Sequence, residues 1–115
     1  MIVRAEDRKQ ILTPNARGGT GTLDKREYVL ERMPERAKMF AEIRLEPGCT
    51  LGVHPHVGAY EIFFYREGEI VLNDNGVERT MHPGDFSICY DGESHGMANR
   101  TDRPASLFAA IIYTE

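Results

Sequence analysis

The sequence predicts an all-β fold, a small antiparallel β-sandwich or closed β-barrel built as one domain. Three observations predict it. From residue 38 onward, short runs of apolar, β-branched and aromatic residues recur with turn residues between them. The tetrapeptide Asn73-Asp74-Asn75-Gly76 stands between two such runs, and Asn-Gly readily supplies the positive φ of a tight hairpin. No segment carries the 3.6-residue apolar period of an amphipathic helix.

Residues 1–37 read as a polar, irregular N-terminal arm. It holds Thr13-Pro14-Asn15, the glycine cluster Gly18-Gly19-Thr20-Gly21 and the charged stretch from Glu31 to Lys38. The glycines lack the spacing and strand–helix context of a phosphate-binding loop, so they are read as a turn. Within the arm, Tyr28-Val29-Leu30 is expected to form a short strand. Residues 38–115 are the barrel. Met39, Ala41, Ile43 and Leu45 alternate with Phe40, Glu42 and Arg44, the pattern of a half-buried strand that Glu46-Pro47-Gly48 ends. Leu51 to His56 is a second extended piece, with Pro55 favouring a sheet edge or strand end because it has no N–H to donate. After a turn at Gly58, Tyr60 to Tyr65 is a strong strand by composition. Gly68 to Leu72 and Val77 to Met81 pair across the Asn-Gly hairpin. Phe86 to Tyr90, His95 to Asn99 and Leu107 to Tyr113 complete the set.

Bulk properties exclude several function classes. The 115 residues suffice for one modest core, and 41% hydrophobic with 28% charged residues is an ordinary soluble composition. A net charge of −4 with no basic cluster argues against nucleic-acid binding. No apolar run is long enough to span a membrane, and the N-terminus lacks the apolar core of a signal peptide. A cytoplasmic location is the resulting expectation. Two cysteines, Cys49 and Cys89, are too few for a disulfide framework and read as reduced, buried thiols.

Chemistry concentrates in two stretches. In the first, Gly48-Cys-Thr-Leu-Gly-Val-His54-Pro-His56-Val-Gly-Ala-Tyr-Glu61, two imidazoles one residue apart share a strand face, and a carboxylate follows. In the second, Gly84-Asp-Phe-Ser-Ile-Cys-Tyr-Asp-Gly92-Glu-Ser-His95-Gly-Met-Ala-Asn99, a third imidazole comes from a distant segment. Imidazole plus carboxylate suits one divalent transition ion, Mn, Fe, Ni, Zn or Co, rather than a soft thiolate-bound metal. Strand parity adds a condition. Glu61 is an odd number of residues from both His54 and His56, so the three converge only if the chain reverses near Gly58. Glu61, Phe63 and Tyr65 then share the inward face, as Met97 and Asn99 share that of His95. Phe63, Tyr65 and Met97 are either chamber walls or plain core. A buried Tyr65 hydroxyl needs a partner, which makes it a candidate substrate contact. His82, outside both stretches, is read as an exposed turn residue.

These stretches resemble the two conserved motifs of the cupin superfamily. Residues 48–68 match G(x)5HxH(x)3–4E(x)6G at every defined position. Residues 84–99 match G(x)5PxG(x)2H(x)3N with one departure, Tyr90 where proline is usual. The resemblance implies a small single-domain cupin, a double-stranded β-helix or jelly-roll barrel. It also implies that His54, His56, Glu61 and His95 are metal ligands. Because small cupins use such an arm to pair subunits, it implies a homodimer, with residues 1–37 packing on or exchanging with a partner. Three imidazoles and one carboxylate leave positions open on the ion, as catalytic sites do. The expectation is an enzyme acting on a small oxygen-rich molecule (sugar, hydroxy or keto acid, or phenolic) by chelation, as an isomerase, lyase, decarboxylase or dioxygenase. The alternative is a non-catalytic metal or small-ligand binding protein or sensor.

Overall fold

Ten strands and two short 3-10 turns make up the chain, which a computed structural model describes over residues 1–115. The strands are β1 (Lys9–Pro14), β2 (Thr22–Glu27), β3 (Ala37–Leu45), β4 (Thr50–Pro55), β5 (Ala59–Glu67), β6 (Ile70–Asp74), β7 (Val77–Met81), β8 (Phe86–Cys89), β9 (Ser94–Ala98) and β10 (Ala105–Tyr113). They form two antiparallel sheets, one of six strands ordered β1-β2-β3-β10-β5-β8 and one of four ordered β4-β9-β6-β7. Period-two alternation gives each sheet an inner face of apolar side chains. The inner faces meet in a single core that draws Ile43 and Leu45 from β3, Phe63 and Tyr65 from β5, Ile70 and Leu72 from β6, Met97 from β9 and Leu107 from β10.

The barrel strands lie where the alternation places them. At the β6–β7 turn, Asn75 has φ 52° and Gly76 φ 91°, the two successive positive values expected of the Asn-Gly hairpin. The arm departs from expectation. Tyr28-Val29-Leu30 is not a strand; β1 and β2 flank the glycine cluster instead and pair with each other, and β2 pairs with β3. These two strands have little apolar alternation to reveal them. They are held by backbone bonding, and by Arg8, which donates to the buried Glu42 carboxylate at 2.7 Å and ties the arm to the barrel. Asn99 is fully buried and donates to the carbonyls of Leu45 at 2.9 Å and Arg103 at 2.7 Å, so its work is to hold the loop after β9.

Candidate metal centre

His54 and His95 face each other because β4 carries a bulge. Leu51 pairs with Met97 in regular register, but the register shifts before His54, which lies opposite His95. Gly52 and Val53 thus oppose Gly96 alone, so both Leu51 and His54 point inward although an odd number of residues separates them. The bulge requires Gly96: a Cβ there would come within 2.9 Å of the Leu51 carbonyl and the Val53 nitrogen. A second reversal follows at Gly58, with φ +76°, where the amide donates to Asp91 Oδ1 at 2.8 Å. It resets the register, and Glu61 enters the barrel on β5.

The four predicted side chains converge. One donor atom from each of His54, His56, Glu61 and His95 lies within 4.8 Å of the others. His56 Nε2 is 3.1 Å from Glu61 Oε1 and 3.1 Å from His95 Nε2, and His95 Nε2 is 3.0 Å from Glu61 Oε1. His54 donates its Nδ1–H to the Gly52 carbonyl at 2.8 Å, which leaves Nε2 with a free lone pair. Burial lowers the His54 pKa and favours that neutral ring. Burial alone would raise the Glu61 pKa, but hydrogen bonds from His56 and His95 outweigh it and hold the carboxyl at about 2. The group is therefore an anion.

The geometry fits a cation. With Glu61 ionised, no arrangement of protons on the two rings satisfies all three close approaches, since one pair always meets lone pair to lone pair or hydrogen to hydrogen. A positive ion between them resolves the conflict. Ligands about 2.1 Å from a common ion and at right angles to one another stand about 3 Å apart, which is the separation these three donors keep. Phe63 lies flat against His95, with ring centroids 5.0 Å apart and planes 13° from parallel.

Tyr65 is buried with its hydroxyl 2.9 Å from Ser87 Oγ, and burial pushes its pKa up to about 12, so it stays a neutral phenol. His82 is exposed and 2.9 Å from Glu69, away from the cluster. Both cysteines are buried and unpaired. Cys49 Sγ points to the Thr22 carbonyl at 3.4 Å, while Cys89 lies opposite Glu61 in the β5–β8 register.

Two neighbours of the cluster went unnoticed in the sequence. Asp74 pairs with His95 in the β6–β9 register, so a row of inner-face positions runs His54, His95, Asp74 across the four-stranded sheet. Ser87 pairs with Phe63 on the facing sheet. The signal for Asp74 was present: it lies two residues beyond the inward Leu72. Its place in an Asx-rich turn masked that parity.

Residues 41–111 match the family model of the cupin domain. An oxalate-binding protein of Thermotoga maritima is 34% identical over 113 residues, covering 97% of this chain and 93% of that protein. The crystal structure of a predicted oxalate decarboxylase from the same organism has a TM-score of 0.92 at 33% identity, covering 98% of this chain and 99% of that one. A sugar phosphate isomerase of the cupin superfamily from Silicibacter pomeroyi has a TM-score of 0.81 at 25% identity, covering 99% of this chain and 76% of the other.

Proposed function

This chain belongs to the cupin family, and on that premise we propose that it holds one divalent transition ion on His54, His56, Glu61 and His95 and uses it to bind and transform a small oxygen-rich organic acid. The observation that carries this reading is the cluster itself, in which two imidazole nitrogens and an ionised carboxylate oxygen stand 3.0–3.1 Å from one another. Four protein donors leave part of a six-coordinate ion free for a chelating substrate. When bound, the ion supplies Lewis-acid polarisation of the oxygens it holds. The chain's own residues supply the rest. Phe63 covers the His95 ring with apolar surface, the Tyr65–Ser87 hydroxyl pair offers a polar contact, and Asp74 stands opposite His95 in register. The names of the two Thermotoga relatives favour a carboxylate ligand. A second reading, binding without turnover, is favoured by the words oxalate-binding protein.

The test is elemental analysis of untagged protein, followed by a metal-dependent turnover screen over oxalate, keto acids and sugar derivatives. Near-stoichiometric metal with turnover of at least one acid is expected. Tight binding without turnover of any compound selects the carrier reading. Failure to retain any of the five ions after loading at neutral pH overturns the metal site.

We also propose a cytoplasmic homodimer, the compartment being one that leaves two cysteines reduced. The outer face of the six-stranded sheet supports the dimer. Phe64 and Phe86 are 55% and 48% exposed and pack edge to face at 5.1 Å. Beside them is a cavity of about 250 Å3 lined only by apolar residues, Phe40, Phe108 and the arm's Tyr28 among them. A contiguous apolar patch on a sheet face marks an interface, and a two-fold axis through it would bury each copy's aromatics against the other's. Light scattering is expected to give twice the 13.0 kDa chain mass. Phe64→Glu, which places a charge in the patch, is expected to reduce the mass to that of one chain while leaving its β-sheet circular dichroism unchanged. A monomeric wild type removes both the interface and the exchanged arm.

A further inference from the structure

The row of inner-face positions that carries the metal cluster leads out of the barrel. Beyond Asp74, at the end of the four-stranded sheet, lies β7; across from it, at the end of the six-stranded sheet, lies β8. Each has one edge unpaired, so the two sheets part there and leave an open cleft of about 330 Å3. Leu72, Asp74, Arg79, Met81 and Ser87 line it. Asp74 belongs to both places, to this cleft and to the position opposite His95. Ser87 likewise joins the cleft to the Tyr65 hydroxyl.

Arg79 sets this cleft apart from an ordinary groove. It pairs with Leu72, which pairs in turn with Met97, so register places it on the inner face of the sheet. Its neighbour Glu78 faces the opposite way and forms a bidentate pair with Arg100 at 2.6 and 3.0 Å. The other strand arginines are committed: Arg26 to Asp24 at 3.1 Å, and Arg44 and Arg66 each to Glu42 at 3.4 Å. Arg79 is the one strand arginine that is within ion-pair distance of no carboxylate, although Asp74 lines the same cleft. A guanidinium carries five N–H donors in a planar fork suited to carboxylate or phosphate, and here the fork is uncommitted.

We propose that this cleft is the far end of the substrate site, where Arg79 binds the second oxyanion of a longer organic acid whose first end chelates the metal. The inference rests on the metal-site reading above and narrows its substrate class. Two strand spacings and two residues along separate the Cα atoms of His95 and Arg79, about 12 Å. Oxalate, with its carboxylates joined directly, is too short to engage both ends. A sugar diacid or a sugar phosphate is long enough, and its hydroxyls would run past Asp74 and Ser87. Both classes present the same chemistry to Arg79, an oxyanion on a polyhydroxylated chain.

The experiment is calorimetric titration of the manganese-loaded protein and of its metal-stripped form with oxalate, glucarate and glucose 6-phosphate, for wild type, Arg79→Gln and Arg79→Lys. Charge-assisted bidentate bonds are the strong class of hydrogen bond. Arg79→Gln is therefore expected to weaken glucarate or glucose 6-phosphate binding about tenfold or more, with Arg79→Lys intermediate. Oxalate affinity and metal content are expected to stay the same. Which of the two long acids responds identifies the terminal group as carboxylate or phosphate. Equal affinities of wild type and Arg79→Gln for both long acids, absence of binding by either protein included, overturn the anchor while leaving the metal reading intact. Arg79-dependent binding in a wild type that retains no metal overturns the metal reading and leaves the anchor standing.

Discussion

Replacing His95 by alanine is expected to lower the metal content of the purified protein from near-stoichiometric to well below half, with His56→Ala doing the same and His82→Ala doing nothing. His95 Nε2 is the donor closest to Glu61, at 3.0 Å, and the ring is among the most buried polar groups of the chain. Deleting it removes one of three donors that stand in mutual contact, and the alanine leaves a hole beneath Phe63. Metal binding to a site assembled only by folding is also folding free energy. The loaded wild type is therefore expected to melt higher than the stripped protein, and the loaded variant to show little of that increment. Elemental analysis and paired thermal melts check both halves. Full metal content in His95→Ala and in His56→Ala would remove the ligand assignment.

Acid should reproduce part of this effect. Metal binding needs deprotonated imidazoles, so affinity falls as pH drops below about 6. In the stripped protein a separate dependence appears at lower pH. Glu61 is held at about 2 against an ordinary 4.5, so the unfolded chain takes up a proton first as the solution is acidified. Its contribution to stability is full above 4.5 and is lost as pH falls from there toward 2. In His95→Ala one of the two bonds holding the carboxylate is gone, and that window narrows.

Most of the barrel could be read from residues because each of its strands announces itself. Met39 to Leu45 alternates cleanly, Asn75-Gly76 needs positive φ, and Pro55 falls both at the end of β4 and on the edge of its sheet. The convergence of Glu61 with the histidines was legible as a condition, since parity demanded a reversal and Gly58 was the residue able to make it. The bulge at Gly52-Val53 was not. His54 and His56 are in phase with each other with or without it, so it leaves no trace in local pattern and appears only in the register with β9. The strands of the arm were missed, and one was expected at Tyr28-Val29-Leu30 instead, for a related reason. Lys9–Pro14 and Thr22–Glu27 have almost no buried side chains, and backbone pairing with a neighbour leaves no periodic mark. Arg79 and Asp74 escaped notice because an exposed charge beside a turn looks like solvated surface until the sheet's register shows which way it faces.

Phe63→Ala is expected to destabilise the stripped protein by about 3–5 kcal/mol, the range for emptying an aromatic site in a packed core. Phe63 is 1% exposed and the largest of the fully buried side chains. Its edge meets Tyr65 at 6.1 Å and 88°, its face covers His95, and Ala109 and Ser87 flank it in register on either side. None of these neighbours can collapse far into the space, because all are fixed by sheet hydrogen bonds. A surface truncation of comparable chemistry, Val57→Ala at 84% exposure, is expected to cost less than about 0.5 kcal/mol. Urea denaturation with chelator present measures both without the contribution of bound metal. The same variant also decides whether Phe63 is a chamber wall or core filling alone. If its flat contact orients the His95 ring, Phe63→Ala also weakens metal binding, about tenfold or more, as loss of a supporting contact around a metal ligand does. Phe63→Leu fills most of the volume without restoring a plane, so it should recover stability ahead of metal affinity. Recovery of both together would mean that only the volume matters.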